Sequence, residues 1–179
     1  MTRAGTVYGQ GLYALAQEEK LEAHILQELQ TLDMAFEEES DYLKLLAAAN
    51  LPKNVRIGVL EDSFREKVHP YVLNFLKLLT EKGYIRQFSD CYKAYRAQYN
   101  AQMGILEVRV VSAIALTDGQ KERLTEKLTG ITGKKICLVC REDPAVLGGV
   151  RLSYDGVQVD GTLQSRLTAM EKSLKNTVL

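Results

Sequence analysis

Hydrophobic positions in the first hundred residues recur at the spacing of an α-helix. Five apolar positions step by four, four, three and four residues, which places them on one helical face: they are Leu21, Ile25, Leu29, Leu32 and Phe36. The stretch between Pro70 and Gly83 predicts another helix, because proline is favoured in a first helical turn and glycine at a C-terminal cap. Further helices are predicted near residues 4–17, 40–48, 54–66 and 84–103. The first part of the chain therefore predicts a bundle of about six helices.

After Gly104 the pattern changes from helical spacing to that of β-structure. The segment 105–116 is rich in β-branched residues and alternates in part, which is typical of a strand. Thr117 and Gln120 have the spacing of a capping box. They predict a helix that follows the strand and runs to Gly130.

A further strand, a hairpin and a final helix are predicted in the rest of the chain. Residues 134–140, KKICLVC, predict a strand, and residues 148–161 predict a hairpin that turns at Asp155 and Gly156. The predicted fold is α+β: an N-terminal six-helix bundle over residues 1–104, followed by a small C-terminal β-α-β-β-α domain over residues 105–179. The last helix carries an apolar seam formed by Leu163, Leu167, Met170 and Leu174.

Two of the predicted helices have more apolar surface than a peripheral helix needs. Six of the eight residues from 72 to 79 are apolar, so this helix is either central or has a second face that forms an exposed groove. The first helix has a second apolar face at i, i+3 and i+7, formed by Tyr8, Gly11 and Leu15. Gly11 costs about 1 kcal/mol relative to alanine in a helix, and it removes bulk where another backbone could approach. The two faces predict a site for a partner's amphipathic helix, and a purely interior role for both is the alternative.

The charge balance argues against a nucleic-acid partner. Lys plus Arg and Asp plus Glu both number 23, so the chain has no net field to attract a polyanion. Tyr92, Tyr95 and Tyr99 alternate with basic residues in a way that could stack bases. They share a helical stripe with Ile85 and Phe88, however, so we expect them to pack the core.

The opening residues and the cysteines of the chain indicate a reducing compartment. The opening MTRAG has no apolar signal-peptide region, and the longest apolar runs are too short to span a bilayer. Three cysteines, an odd number, are typical of free thiols. We expect a protein made and kept in the cytosol.

Cys137 and Cys140 have the C-x-x-C spacing of a redox couple or of half a zinc site. Because side chains alternate along a strand, residues three apart face opposite sides of the sheet and cannot share a metal or close a disulfide. We therefore expect both, like Cys91, to be buried small hydrophobic residues. A small cytosolic thiol-redox protein that uses Cys137 and Cys140 is the alternative function.

The remaining candidates for chemistry are few. His24 and His69 have no nucleophile or second ligand near them in sequence, so surface or capping roles are expected. The run 37–39, three glutamates, predicts a solvated helix end. Gly148 and Gly149 lead into a strand rather than a helix, so they are not a phosphate loop. The sequence predicts no catalytic residue, no metal site and no cofactor.

Two motifs carry a resemblance to a known family. Residues 143–167, DPAVLGGVRLSYDGVQVDGTLQSRL, follow the pattern D-P-x-[LIV]-[LI]-G-G, a hairpin, D-G-[ST] and a helix with an Arg-Leu pair, here Arg166-Leu167. The chain resembles the delta subunit of F-type ATP synthases, known in mitochondria as the oligomycin-sensitivity-conferring protein. The family's first-helix motif Y-x-x-[AG]-[LI]-[YF]-x-x-A is matched by Tyr8, Gly11, Leu12, Tyr13 and Ala16.

The resemblance implies a mechanical role rather than a catalytic one. The N-terminal domain would bind the N-terminal helix of an alpha subunit in a groove between the first and fifth helices, with contacts to the beta subunits left open. Tyr8 and Gly11 match the motif there, and helical spacing extends the set to Leu15, Asn74 and Leu78. The subunit would be a stator that keeps the catalytic head from turning during proton- or sodium-driven ATP synthesis.

The resemblance also implies a second partner and a location. The C-terminal domain would hold the b subunits of the peripheral stalk through the last helix, at Leu167, Met170 and Leu174. One copy per complex is expected, monomeric alone and without a cofactor. It would lie at the cytoplasmic side of a bacterial membrane, associated with the membrane only through the complex.

Overall fold

The computed structural model describes residues 2–48, 50–146, 148–154 and 156–161. Within them the chain forms seven α-helices and a four-stranded mixed sheet, which confirms the predicted α+β class. Two compact units divide the chain, Met1–Tyr99 and Asn100–Leu179. The predicted last helix, with Leu167, Met170 and Leu174, lies outside the described residues. The detailed C-terminal topology therefore stays a prediction. The domain boundary at residue 104 also stays a prediction.

The helices of the first unit lie close to the predicted positions. The chain forms α1 (Arg3–Glu18), α2 (Glu22–Glu38), α3 (Ser40–Leu46), α4 (Lys53–Phe64), α5 (Pro70–Lys82), a short 3-10 helix (Ile85–Gln87) and α6 (Phe88–Gln102).

Both ends of α5 follow from single residues. His69 precedes Pro70 as the N-cap, and its ring Nδ1 accepts a hydrogen bond from the Tyr71 backbone N–H at 3.3 Å. Gly83 ends the helix in the left-handed conformation with φ of 76°. The predicted start and stop of this helix are confirmed, as is a capping role for His69.

The apolar excess of α5 is mostly interior. Of its six apolar positions from 72 to 79, only Leu78 is exposed, at 37%. The helix packs on α4 and also contacts α2 and the 3-10 helix. The central-helix alternative therefore accounts for five positions, which are Val72, Leu73, Phe75, Leu76 and Leu79.

The tyrosines of α6 belong to the core. Tyr92 and Tyr95 are buried, and the Tyr95 hydroxyl donates a hydrogen bond of 3.0 Å to the backbone carbonyl of Glu22 in α2. The Tyr95 ring meets the Tyr13 ring edge-on, with their centroids 5.3 Å apart. This confirms that the two rings pack the core and are not presented to a nucleic acid.

The second unit is built on a mixed sheet. Its described elements are β1 (Ile105–Ser112), α7 (Asp118–Thr132), β2 (Lys135–Glu142), β3 (Val150–Tyr154) and β4 (Val157–Asp160). The strand order is β2-β1-β3-β4, with β1 and β2 parallel and the other two pairs antiparallel. Helix α7 packs on one face of the sheet, over a core of Leu106, Val108, Val110, Leu128 and Leu152.

Helix α7 begins as predicted and ends later than predicted. The Gln120 side-chain oxygen accepts a hydrogen bond of 2.9 Å from the Thr117 backbone N–H, the half of the capping box that depends on residue 120. The helix does not stop at Gly130. It continues to Thr132, and Gly133 ends it with φ of 67°.

The expectation that Cys137 and Cys140 are buried is wrong. Both thiols are exposed, whereas Cys91 is buried as expected. The reason is strand order: β2 lies at the edge of the sheet and has a neighbour on one side only. Hydrophobic pattern alone does not distinguish an edge strand from a central one.

Candidate functional site

Helix α1 uses two glycines for close packing on α6. A Cβ added to Gly5 would lie 2.6 Å from the Cβ of Asp90, and one added to Gly9 would lie 2.8 Å from the Cβ of Ala94. Neither distance is compatible with a side chain at these positions. Gly5 and Gly9, four residues apart, thus fix one face of α1 against α6. Sequence reasoning missed both, although two glycines at this spacing in a helix were a usable signal.

The opposite part of α1 is an exposed apolar surface. Gly11 and Leu15 are exposed, and nothing lies within 4 Å of where a Cβ on Gly11 would be. Val7, which the sequence reasoning also missed, is 61% exposed and forms an i, i+4, i+8 stripe with them. Tyr8 is half-buried beside this stripe. The surface has an open notch at Gly11 between larger apolar side chains.

Helix α5 presents a narrow outward strip. Asn74 and Leu78, one turn apart, are both exposed, whereas the other apolar positions from 72 to 79 are buried and Lys77 is half-buried. The strip therefore offers one amide and one apolar side chain on a well-packed helix, and the exposed Glu81 and Lys82 follow in the next turn.

Tyr84 connects α5 to α1. It follows the Gly83 cap, and its ring lies 5.7 Å from the Tyr8 ring, centroid to centroid, at an angle of 47°. This contact brings the C-terminal end of α5 to the exposed side of α1. For Gly11, Leu15, Asn74 and Leu78 the structure establishes exposure rather than mutual contact. Tyr84 was not predicted, because a residue after a helix cap has no periodic signal.

The chemistry of this apolar surface is that of binding. Its members are Val7, Tyr8, Gly11, Leu15, Asn74, Leu78 and Tyr84, and none carries a charge. Two phenol hydroxyls and one amide can form hydrogen bonds, whereas the other members offer a partner only apolar contact. Such a set suits the apolar face of a partner helix and offers neither a general base nor a nucleophile at neutral pH.

The two histidines belong to a structural link between α2 and α5. The backbone N–H of His69 donates hydrogen bonds to both carboxylate oxygens of Glu28, at 3.0 and 2.8 Å. The same carboxylate lies 3.1 Å from His24 Nε2. Within the described parts of the chain, no group of three or more His, Cys, Asp or Glu side chains could hold a metal ion.

The C-x-x-C pair is divided by the sheet. Cys137 pairs with Glu107 of β1 and Cys140 pairs with Val110, three positions further on. Residues three apart on a strand face opposite sides, so the two thiols point away from each other, as predicted. The predicted stalk contacts, Leu167, Met170 and Leu174, lie outside the described residues.

Comparison with known proteins identifies the family to which the chain belongs. The sequence profile described as the ATP synthase delta (OSCP) subunit matches residues 5–174. The chain belongs to the ATP synthase delta (OSCP) subunit family. Membership confirms the resemblance seen in the two motifs, and it makes the chain a subunit of an F-type ATP synthase.

Relatives from several bacteria match over nearly the full length. ATP synthase subunit delta of Clostridioides difficile (strain 630) is 27% identical over 172 residues, which cover 96% of this chain and 95% of the relative. ATP synthase subunit delta of Symbiobacterium thermophilum is 29% identical over 167 residues, covering 93% and 90%. The family match therefore includes both structural units.

A solved structure shares the fold. A chain in the cryo-EM structure of the Toxoplasma gondii mitochondrial ATP synthase hexamer superposes with a TM-score of 0.78 at 15% identity, over 97% of this chain and 98% of that one. At this identity the likeness shows the fold alone. Among the described residues, none of the helices has the length and apolar character needed to cross a membrane.

Proposed function

We propose that this delta-family chain is a non-enzymatic stator subunit that joins the catalytic head of the ATP synthase to its peripheral stalk. The observation that supports this role best is the exposed, uncharged surface on α1 and α5. It lies on the two helices between which the family resemblance implies a binding groove for the alpha subunit. A clamp needs affinity rather than chemistry, and this surface offers affinity alone.

The alpha subunit would contribute the apolar face of its N-terminal helix. Leu15 and Leu78, each 37% exposed, would be covered by its apolar side chains. The open space over Gly11 would let the partner's backbone or a large side chain approach closely. Asn74 would supply the hydrogen bonds that fix the orientation of the bound helix.

A second attachment would complete the clamp. Residues 105–179 would hold the b subunits, with Leu167, Met170 and Leu174 as the proposed contacts, while residues 1–104 hold the head. A standard interface buries about 800 Å² per partner, and one such contact alone gives affinities from micromolar to picomolar. Two contacts on one chain raise the effective affinity, because the second binding step becomes intramolecular.

The remaining features of the proposal follow from this role. One copy would serve each complex, and the head would then resist the torque of the rotor during ion-driven ATP synthesis. The chain would lie at the cytoplasmic side of a bacterial membrane and be held there by its partners. The thiol-redox alternative is not favoured, because Cys137 and Cys140 face opposite sides of β2.

Affinity purification of the tagged full chain from detergent-solubilised membranes tests the assignment. We expect alpha, beta and b subunits to co-purify. Gel filtration of the chain with the isolated catalytic head, and separately with the soluble part of b, then tests each end of the clamp. Absence of ATP synthase subunits would overturn the proposal, and binding to the head without binding to b would overturn the clamp.

A further inference from the structure

Tyr84 stands out among the aromatic residues of the chain. In the part that the structure describes, every other tyrosine and phenylalanine is buried or half-buried, whereas Tyr84 is 37% exposed. Aromatic side chains bury a large area with few rotatable bonds, so an exposed one on a rigid support is a characteristic anchor for a partner. Because Tyr84 lies at the border of the apolar surface, the partner that it would anchor is the one that covers this surface.

The backbone holds Tyr84 in place from both sides. Gly83 adopts the left-handed conformation, and the Tyr84 N–H donates a hydrogen bond of 2.7 Å to the Leu79 carbonyl of α5. On the other side, the Tyr84 carbonyl accepts the Gln87 N–H at 2.8 Å. The residue is therefore part of the junction between α5 and the 3-10 helix rather than of a free loop. The backbone at Tyr84 therefore has little conformational entropy left to lose when the ring is covered.

The Tyr84 ring also completes the surface. It lies 5.7 Å from the Tyr8 ring, centroid to centroid, so the residue that follows the α5 cap packs against α1 at this pair. The pair is uncharged, as are the other members of the surface, which fits the apolar face of a helix.

We propose that Tyr84 is an anchoring residue for the partner helix and that it acts as a unit with Tyr8. This rests on the proposed function, because the occupant is the helix that the apolar surface would bind there. Tyr84 would pack against one end of that helix, while Leu15 and Leu78 cover its middle. Tyr8 would act partly through direct contact and partly by supporting the Tyr84 ring.

A double-mutant cycle measured by isothermal titration tests this. The full chain is titrated with a synthetic peptide of the cognate alpha-subunit N-terminal segment, using Tyr8→Ala, Tyr84→Ala, the double variant and Tyr84→Phe. Loss of an aromatic anchor weakens binding by about fivefold or more, and we expect this for Tyr84→Ala. The fold-loss of affinity in the double variant should be smaller than the product of the fold-losses in the two single variants, because the rings act together. Tyr84→Phe should stay within about threefold of the wild type, since the ring is kept.

The controls separate this inference from the proposed function. Met34→Ala removes a 52% exposed side chain on α2 and should leave the affinity unchanged. Thermal melts by circular dichroism check that each variant is folded, and Tyr84→Leu, which keeps an apolar side chain but removes the ring, replaces the alanine variant if that variant is not folded. If Leu78→Asp abolishes binding while Tyr84→Ala stays within twofold of the wild type, Tyr84 is not an anchor and the proposed function stands. Independent effects of Tyr8 and Tyr84 would overturn the pairing, and a wild type that does not bind would overturn both proposals.

Discussion

Gly9 of α1 lies directly against Cys91 of α6. A Cβ on Gly9 would overlap the Cys91 carbonyl oxygen and come within 2.8 Å of the Ala94 Cβ. Backbone atoms of a packed helix cannot move aside as a flexible side chain can. The position of α1, and with it the orientation of its exposed stripe, depends on this contact.

We expect Gly9→Ala to lower the free energy of unfolding by about 1–3 kcal/mol, the usual cost of overpacking a core. The matched control is Gly58→Ala in α4, where nothing lies within 4 Å of the added Cβ. That change should raise stability by roughly 0.5–1 kcal/mol, because alanine is the better helix former. Urea unfolding followed by circular dichroism measures both, and equal effects of the two substitutions would show that α1 does not need this close approach.

Filling the open notch at Gly11 is predicted to weaken binding and to leave stability unchanged. Gly11→Trp should weaken binding of the alpha-subunit peptide by tenfold or more, on the order of a lost interface anchor, because the indole fills the space that the partner would use. Gly119→Trp on α7 is the control, since Gly119 is another exposed helical glycine with nothing within 4 Å. Both variants should melt near the wild-type temperature. Unchanged affinity of Gly11→Trp in titration calorimetry would contradict the placement of the partner helix.

Thiol accessibility separates the three cysteines. Cys137 and Cys140 are exposed, whereas Cys91 is buried, and burial together with the nearby Asp90 carboxylate raises the pKa of the Cys91 thiol to about 12. Ellman's reagent should therefore react with two thiols in the folded chain and with the third only after unfolding. Mild oxidation with diamide should form no disulfide between Cys137 and Cys140, because they face opposite sides of β2. Mass spectrometric detection of that bond would revive the redox alternative.

Stability should fall at alkaline pH because of Tyr95. Burial, then the charge of Glu22, raises the pKa of this phenol above its ordinary value of about 10. The folded state therefore keeps a proton that the unfolded state loses, so the stabilisation is complete below about pH 10 and is lost as the pH rises towards the folded pKa. At pH 8, Tyr95→Phe should cost about 1 kcal/mol, because the hydrogen bond to the Glu22 carbonyl is removed. The difference in unfolding free energy between wild type and variant should shrink as the pH rises from 9 to 11, and a constant difference would refute the account.

Periodicity and end signals predicted most of the helices and strands. Pro70 and Gly83 bounded α5 correctly, because proline and glycine act through local backbone geometry that needs no knowledge of the rest of the fold. The exposure of Cys137 was predicted wrongly, because it depends on which strands lie at the edge of the sheet. That order is a tertiary property, absent from any short window of sequence.

The apolar surface was predicted in outline and not in detail. Helical spacing selected Gly11 and Leu15, which are exposed, but it could not show that α5 presents only Leu78 of its apolar residues. The roles of the glycines in α1 were also predicted only in part. Gly9 is needed for packing and Gly11 is open, a difference that depends on α6 rather than on α1 itself.

The most direct test of the stator assignment is the titration of the full chain with the alpha-subunit N-terminal peptide, comparing Leu78→Asp with Val55→Asp. Both residues are exposed apolar side chains in helices, at 37% and 45%, but only Leu78 lies on the proposed surface. We predict that the wild type and Val55→Asp bind alike and that Leu78→Asp does not bind at micromolar concentrations, since a buried unpaired charge is costly. Equal binding by Leu78→Asp, or no heat of binding for the wild type at high micromolar concentrations, would contradict the account.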